Sequence, residues 1–194
     1  IAVVHTIIKK DDDDRDTFLK MYDLWLYEGD QILRDCFVFF VIGRLWETKS
    51  CGVDNLLWTT MIFTANIYFQ SQHYVKWLQH SVTLYEMHCI WPWQLWVFVI
   101  ILVPLFTTIF LAHVIVAYGR NILKQKLFEF VICIGLFVAP NISSPYFHFH
   151  HWFAGWIFGM HANLSDLWWS KATMAYFWGM YINGIAVYGR DPLL

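Results

Sequence analysis

Apolar residues fall into long runs separated by short polar stretches. The longest run, helix C at 93–118, holds about 26 residues without a formal charge, which exceeds the roughly 20 apolar residues that cross a bilayer. It contains one histidine, His113, and one proline, Pro104, which is expected to kink it. This pattern predicts a transmembrane helix.

Other apolar segments predict further helices. They are helix A at about 32–46, B at about 54–70, D from the end of the 119–126 loop to about 138, E at about 145–161 and F at about 167–188. Helix A is bracketed by Arg34, Asp35, Arg44 and Glu47. It can therefore span only if these charges snorkel or pair.

In two further segments, residues that recur at the helical period would lie on one face of a helix. From residue 16 the apolar positions are Phe18, Met21, Tyr22, Trp25 and Leu26. In 71–88, one face carries His73, Trp77, His80 and Leu84. This spacing is typical of amphipathic helices that lie on a membrane surface or on protein.

The predicted fold is an all-α polytopic membrane helix bundle with five to six spans and two interfacial amphipathic helices. Residues 1–15 are expected to form an acidic solvated segment, because adjacent aspartates repel one another. Residues 16–194 form a single transmembrane helical domain. The first residue is not Met, so we expect these residues to be part of a longer chain.

Composition supports a membrane protein. Apolar residues make up 58% of the chain and charged residues 14%, too few to cover a soluble domain of this size. The net charge is −2 and no basic face is present, which argues against nucleic acid. The expected partners are the lipid bilayer and other membrane-protein subunits.

The 119–126 loop carries the densest basic charge, with Arg120, Lys124 and Lys126. Basic loops stay on the cytoplasmic side, or on its matrix or stromal equivalent. We therefore expect this loop to be cytoplasmic.

Histidines gather at the head of helix E. His148, His150 and His151, with His80 or His88, could hold zinc, copper or iron, since neutral imidazole is a common metal ligand. The alternative is that they lie at the membrane interface, hydrogen-bonded to water, headgroups or backbone. Carboxylate ligands are scarce, and the one plausible candidate on that side is Glu86.

A second histidine pair suggests haem. His113 and His161 lie near the other side of the membrane and could ligate a haem, or another tetrapyrrole, axially. This cofactor is less favoured than a metal ion.

The sequence contains no Ser/His/Asp or Cys/His set, no glycine-rich phosphate loop and no paired inward carboxylates. The leading function is therefore an integral membrane subunit or scaffold of a larger assembly without its own catalytic centre. The alternative is a histidine-ligated metal or haem membrane protein, redox-active or hydrolytic. The third is a proton or small-solute pathway, whose lining would be Thr59, Thr60, Asn66, Glu129 and His113.

The C-terminal part resembles a known family. His148-x-His150-His151-Trp152 is followed by Asn183-Gly184-x-Ala186-x-x-Gly189-x-Asp191. This resembles the end of the multi-pass membrane region in fungal LCCL-domain proteins, where a histidine-rich segment precedes a similar ending. The LCCL domain and its cysteines are absent. The resemblance implies a multi-pass topology and does not imply an enzymatic activity.

Overall fold

The structure is a computed structural model that describes residues 14–47, 52–72, 74–80, 84–137, 151–164 and 166–188. These residues form helices and turns and contain no β-strand, which confirms the predicted all-α class. Residues 1–13 of the predicted acidic segment lie outside this set, and residues 14–15 belong to the first helix rather than to a solvated loop.

Seven α-helices are described. They are α1 (Asp14–Ile42), α2 (Gly52–Gln72), α3 (Leu84–Cys89), α4 (Trp93–Gly119), α5 (Leu123–Phe137), α6 (His151–His161) and α7 (Trp168–Tyr188). Two 3-10 helices, Leu45–Glu47 and Lys76–Leu78, lie in the connections. Helices B, C, D and F correspond to α2, α4, α5 and α7. Helix E is described from His151 onward, so its predicted start at 145 lies outside the described residues.

The first amphipathic segment and helix A are one continuous helix, so predicting two elements was wrong. Glycine costs about 1 kcal/mol in a helix interior, and at Gly29 this cost does not break α1. Gly29 is buried, and Arg34 Nη2 donates to Asp30 Oδ2 at 2.8 Å, one turn apart, just beyond it. The helix ends where Arg44 adopts a left-handed backbone, φ 53°.

The second amphipathic segment, 71–88, is not one helix. α2 extends to Gln72, a 3-10 turn follows at Lys76–Leu78, and α3 starts only at Leu84. Val75 is extended, which breaks the helical backbone before Trp77. Trp77 instead packs edge-on against Phe98 of α4, with ring centroids 5.9 Å apart.

The core is built around the antiparallel pair α6 and α7. From Trp152 to Met160, α6 is almost entirely buried. At Gly155 the two backbones touch, since a methyl group there would lie 2.7 Å from both the Phe177 carbonyl oxygen and the Tyr181 nitrogen. Glycine is required where helices approach this closely.

The remaining long helices pack around this pair. α2 runs parallel to α7, with Ala65 opposite Gly179 and Gln70 opposite Asn183. α1 runs parallel to α6, and its Phe39 ring lies 4.0 Å from the Trp178 ring of α7. Consecutive long helices therefore alternate in direction along the chain.

α4 and α5 complete the bundle on its outside. α4 is antiparallel to α7, because Phe106 and Phe110 contact Phe177 and His113 contacts Ser170. α5 is antiparallel to α6 and places Phe130 edge-on against the His161 ring. We call the end that holds the α4–α5 turn the basal end, and the end that holds α3 the apical end.

Among the residues that the structure describes, α4 alone is long and apolar enough by itself to cross a membrane. Within its most apolar 18-residue window, 6% of the residues are buried, whereas the core helix of a soluble protein is mostly buried. The other helices do not meet that description individually. α5 and α6 are described over 15 and 11 residues, and α1, α2 and α7 hold many polar or aromatic positions.

The α2–α7 contact can be tested with Gly179→Ala. A methyl group at Gly179 would lie 2.6 Å from Ala65 Cβ and 2.9 Å from the Ile62 carbonyl oxygen, so we expect about 1–3 kcal/mol lower unfolding free energy from overpacking. Unfolding in mixed detergent micelles measures it.

Gly135→Ala in α5 is the matched control, because nothing lies within 4 Å of a Cβ there. Higher helix propensity should leave this variant as stable as the parent or slightly more stable. Equal losses in the two variants would contradict the close α2–α7 contact.

Candidate functional site

Polar side chains concentrate at the basal end, where three helix termini meet. Arg44 follows α1, Gln125, Lys126 and Glu129 lie in the first two turns of α5, and Asn163 follows α6. The parallel α1–α6 contact and the antiparallel α5–α6 contact bring these termini together. We call these five residues the basal cluster.

An ion pair connects α1 to α5 in this cluster. Arg44 Nη2 lies 3.1 Å from Glu129 Oε1, and these side chains are 15% and 17% exposed. Gln125 Nε2 donates to the same carboxylate oxygen at 2.9 Å. Glu129 Oε2 is buried and has no hydrogen-bond partner among the described residues.

Asn163 connects α1, α5 and α6. Its Nδ2 donates to the Ile42 carbonyl oxygen at 2.5 Å, which satisfies one of the terminal carbonyls of α1. Its Oδ1 accepts from Lys126 Nζ. Asn163 is the first residue of an Asn-Leu-Ser sequon, and because it is only 3% exposed it is a poor glycosylation acceptor.

Lys126 lies three residues before Glu129, at a spacing that permits an ion pair on one helix. The structure instead pairs Glu129 with Arg44, and Lys126 with Asn163. Two cations therefore surround one carboxylate, and each has a partner from a different helix. This arrangement ties helices together, because removing one member of a buried pair leaves an uncompensated charge.

Three of the four charges that bracket predicted helix A are paired or buried, and the fourth, Glu47, is exposed. Arg34 pairs with Asp30 on the exposed face of α1, and Arg44 pairs with Glu129. Asp35 is 4% exposed and accepts a hydrogen bond from the Tyr181 hydroxyl at 3.3 Å.

A second polar contact joins α4 to α7. His113 Nδ1 lies 2.8 Å from the Ile109 carbonyl oxygen, which only accepts, so Nδ1 must carry the proton. In the neutral imidazole, Nε2 is then an acceptor, and the single proton of the Ser170 hydroxyl can go either to Nε2 at 2.9 Å or to the Ala162 carbonyl oxygen at 3.1 Å. The Ser170 oxygen in turn accepts from the Leu164 N–H at 3.1 Å. This chain fixes one tautomer of His113.

The basal loops are joined by a bidentate ion pair. Arg120 donates to Asp166 Oδ1 at 2.7 Å and to Oδ2 at 2.6 Å, which links the α4–α5 turn to the α6–α7 turn. The guanidinium holds the pKa of the Asp166 carboxyl below its ordinary value, chiefly through the hydrogen bond. Its stabilising effect is therefore present at neutral pH and lost as the pH falls through that lowered pKa.

The predicted metal ligands are only partly described. His80 Nδ1 lies 3.8 Å from Glu86 Oε2, which brings together the expected histidine and carboxylate, while His88 is exposed on α3. His148, His150 and the His151 side chain lie outside the described residues. Within the described part of the chain, no three His, Cys, Asp or Glu residues group as a metal site would need. The metal site stays a prediction.

The predicted haem ligands have different surroundings. Both His113 nitrogens are hydrogen-bonded, so iron ligation would break one of these bonds. His161 lies against Phe130, and its Nε2 is buried with no hydrogen-bond partner in the described part of the chain. No described contact joins the two histidines.

The predicted pathway residues face different surroundings. Thr59 and Thr60 are exposed on α2, and the Thr60 hydroxyl bonds back to the Leu56 carbonyl oxygen. Asn66 is buried in α2, and its Nδ2 bonds to the Ile62 carbonyl oxygen. Glu129 belongs to the basal cluster and His113 to the α4–α7 contact, so no described hydrogen bond links these residues into one line.

Sequence reasoning missed Ser170 and the structural roles of Asn163 and Asp35. A serine in the first turn of α7 carries no distinctive pattern, and its contact with His113 spans 57 positions. Asn163 was noticed only as a sequon. The available signal was the density of amides and charges at the predicted helix ends, which favours interhelical hydrogen bonds.

No family model, no curated protein and no solved structure matches this chain. The resemblance to fungal LCCL-domain proteins therefore stays a prediction.

The Arg44–Glu129 pair can be tested by a double-mutant cycle. We expect Arg44→Gln or Glu129→Gln alone to lower the unfolding free energy by about 3–5 kcal/mol, because each leaves a buried charge unpaired. The double variant should lose less than the sum, and unfolding in mixed micelles measures the coupling.

The matched control is the Arg34–Asp30 pair, whose side chains are 70% and 71% exposed. Arg34→Gln and Asp30→Asn should show little coupling, since water screens exposed pairs. Additive losses at Arg44 and Glu129 would show that the buried pair does not connect α1 to α5.

Proposed function

We propose that this chain is an integral membrane subunit or scaffold of a larger membrane assembly and has no catalytic centre of its own. The observation that carries the proposal is the surface of α4. Its 27 residues extend about 40 Å, more than the roughly 30 Å hydrocarbon core of a bilayer. Most of them are apolar, and 11 large apolar side chains are exposed.

Three other helices also expose many large apolar side chains, which on α1 lie beside the exposed Arg34–Asp30 pair. Large exposed side chains on them are Leu33, Phe37, Phe40 and Val41 of α1, Leu56, Leu57, Phe63 and Ile67 of α2, and Leu127, Phe128, Val131 and Ile132 of α5. In contrast, Asp35 and the Arg44–Glu129 pair face inward. Apolar exteriors and paired polar interiors are typical of proteins that use lipid as solvent.

The helix directions support several crossings. α1, α2, α4, α5, α6 and α7 alternate in direction, as six successive spans would. α6 and α7 lie inside the bundle, where neighbouring helices rather than their own hydropathy would keep them in place. We therefore propose a polytopic bundle in which α4 is the most lipid-exposed span.

The charges favour one orientation. Basic residues at the basal end are Arg44, Arg120, Lys124, Lys126 and Lys171. Lys76 lies at the apical end, towards which Arg15, Lys20 and Arg34 of α1 also lie, so the excess of basic residues at the basal end is small. Under the positive-inside rule, the basal end and the 119–126 loop would face the cytoplasm or its equivalent.

The scaffold role is supported by the first half of α1. Its predicted amphipathic stripe includes Tyr22, Trp25 and Leu26, which are 56%, 43% and 57% exposed. Contiguous exposed aromatic side chains are typical of protein contacts. Apart from Glu129 Oε2 and His161 Nε2, the buried polar atoms described above make their contacts within this chain, which favours a structural role over catalysis.

Membrane insertion can be tested with a membrane-impermeant maleimide on single-cysteine variants in intact cells and inverted vesicles. Lys124→Cys should react only from the cytoplasmic side, and Cys89, exposed in α3, only from the other side. Val103→Cys should not react from either side, although Val103 is 57% exposed, because lipid covers it.

A soluble fold would give the opposite result at that position. Val103→Cys would then react as fast as Lys124→Cys, and alkaline carbonate would release the chain from membranes. Either result would overturn the proposed location.

The scaffold role predicts a complex larger than the 23.1 kDa chain in native membranes. Alanine at Tyr22, Trp25 and Leu26 should shift the chain to smaller particles in mild detergent, measured by native mass spectrometry. The matched control, alanine at Ile100, Ile101 and Val103 on the exposed face of α4, should leave the particle mass unchanged. A monodisperse, folded parent chain without partners would contradict the scaffold role.

A further inference from the structure

Aromatic spacers separate α4 from the centre of the bundle. Phe106 and Phe110 reach α7, with ring centroids 5.2 Å and 5.8 Å from Phe177. On one side of Phe106, a crevice of about 610 Å³ lies between α2, α4 and α7. On the other side, a second crevice of about 460 Å³ lies between α4, α6 and α7. Both volumes are in the range of small-molecule sites.

The crevice walls carry no charged side chain. Their threonines are turned back onto their own helices, since Thr64 donates to the Thr60 carbonyl oxygen at 2.8 Å and Thr173 to the Trp169 carbonyl oxygen at 2.9 Å. The walls therefore present mainly methyl groups and aromatic rings. Burying an ionised group against them would be costly, so an ionised ligand is disfavoured.

Two phenols, and the Gln72 amide in the second crevice, are the exceptions. Tyr68 and Tyr176 line the first crevice with ring centroids 6.2 Å apart, and Tyr176 also lines the second. Neither hydroxyl has a hydrogen bond to another residue in the described part of the chain. Phe69 and Phe106 surround Tyr176, with ring centroids 5.1 Å and 5.8 Å from it.

We propose that these crevices form one binding site for an isoprenoid quinone, an uncharged lipid with a flat carbonyl-bearing ring and a long apolar chain. A quinone oxygen only accepts hydrogen bonds and has two lone pairs, so it can take both phenolic protons. The aromatic rings around Tyr176 suit a flat ring, and the second crevice, which continues past Phe106 to Phe98, suits the chain.

Other lipids fit this wall chemistry less well. A phospholipid headgroup is charged, and its oxygens belong at the membrane surface. Tyr176, in contrast, lies eight residues into α7, about 12 Å along the helix. A sterol offers a single hydroxyl and no flat carbonyl-bearing ring, so it would use the two phenols and the aromatic rings around Tyr176 less fully than a quinone would. The inference depends on the membrane location proposed above.

The test uses the purified full chain in lipid nanodiscs with a benzoquinone that carries a decyl chain. Binding is measured by calorimetry and by quenching of tryptophan fluorescence. Decylbenzene, which lacks the carbonyls, and a membrane sterol are the comparison ligands. We expect saturable quinone binding at about one per chain, and about tenfold weaker binding of decylbenzene, since two hydrogen bonds are missing.

Variants locate the site. Tyr68→Phe with Tyr176→Phe should weaken quinone binding about tenfold and leave decylbenzene binding unchanged, because only the hydroxyls are lost. Tyr118→Phe is the matched control, since Tyr118 is 74% exposed at the basal end of α4, and it should bind like the parent. Ala172→Phe, which fills the first crevice, should abolish binding of both ligands.

Several results would overturn the inference. Equal quinone and decylbenzene affinities would show that the crevice only accommodates lipid chains. Preference for the sterol, or an unaltered affinity in the Tyr68→Phe, Tyr176→Phe variant, would exclude the assigned recognition. If Val103→Cys stays protected from maleimide while quinone does not bind, the membrane location stands and the quinone site alone is wrong.

Discussion

The backbone contact between α6 and α7 at Gly155 is the constraint on which the bundle depends. Because no side chain separates the two helices there, α6 is buried on nearly all sides, and the other long helices pack against one of the pair. A second close helix contact occurs at Gly179 of α7, which lies against α2 with only small groups between the two helices. α4 does the opposite, since phenylalanine spacers hold it away, and the crevices beside Phe106 follow from that spacing.

Charge placement follows from the same packing. With α6 and α7 in the interior, the polar termini of α1, α5 and α6 meet at one end, and each charge in the basal cluster finds a partner on a different helix. Asp35 is the one carboxylate among the described core residues away from that end, and the Tyr181 hydroxyl donates to it. These contacts specify which helices are neighbours, because apolar faces alone would tolerate several arrangements.

The sequence predicts α4 to within one residue, since an uncharged apolar run ending at Gly119 is a strong local signal. It also predicts the apolar face at the start of α1, but not that α1 continues through Gly29 as one helix. Packing offsets the small cost of a glycine in the helix interior there. For the candidate site, it identifies Glu129 and His113 as unusual but not their partners Arg44 and Ser170, which are 85 and 57 positions away. Such pairings depend on helix packing, which the sequence pattern leaves open.

The distance along the chain between Asp35 and Tyr181 has a consequence for biosynthesis. Tyr181 follows Asp35 by 146 positions, which take about 7–30 s to synthesise at the usual rate of translation. During that time α1 and α2 exist without α7, and α1 also without α6, the helices that cover their inner faces. The contacts of the α6–α7 pair with α1 and α2 therefore form late, and ribosome-bound chains that stop before residue 151 would leave the Asp35 face of α1 without its α6 and α7 neighbours.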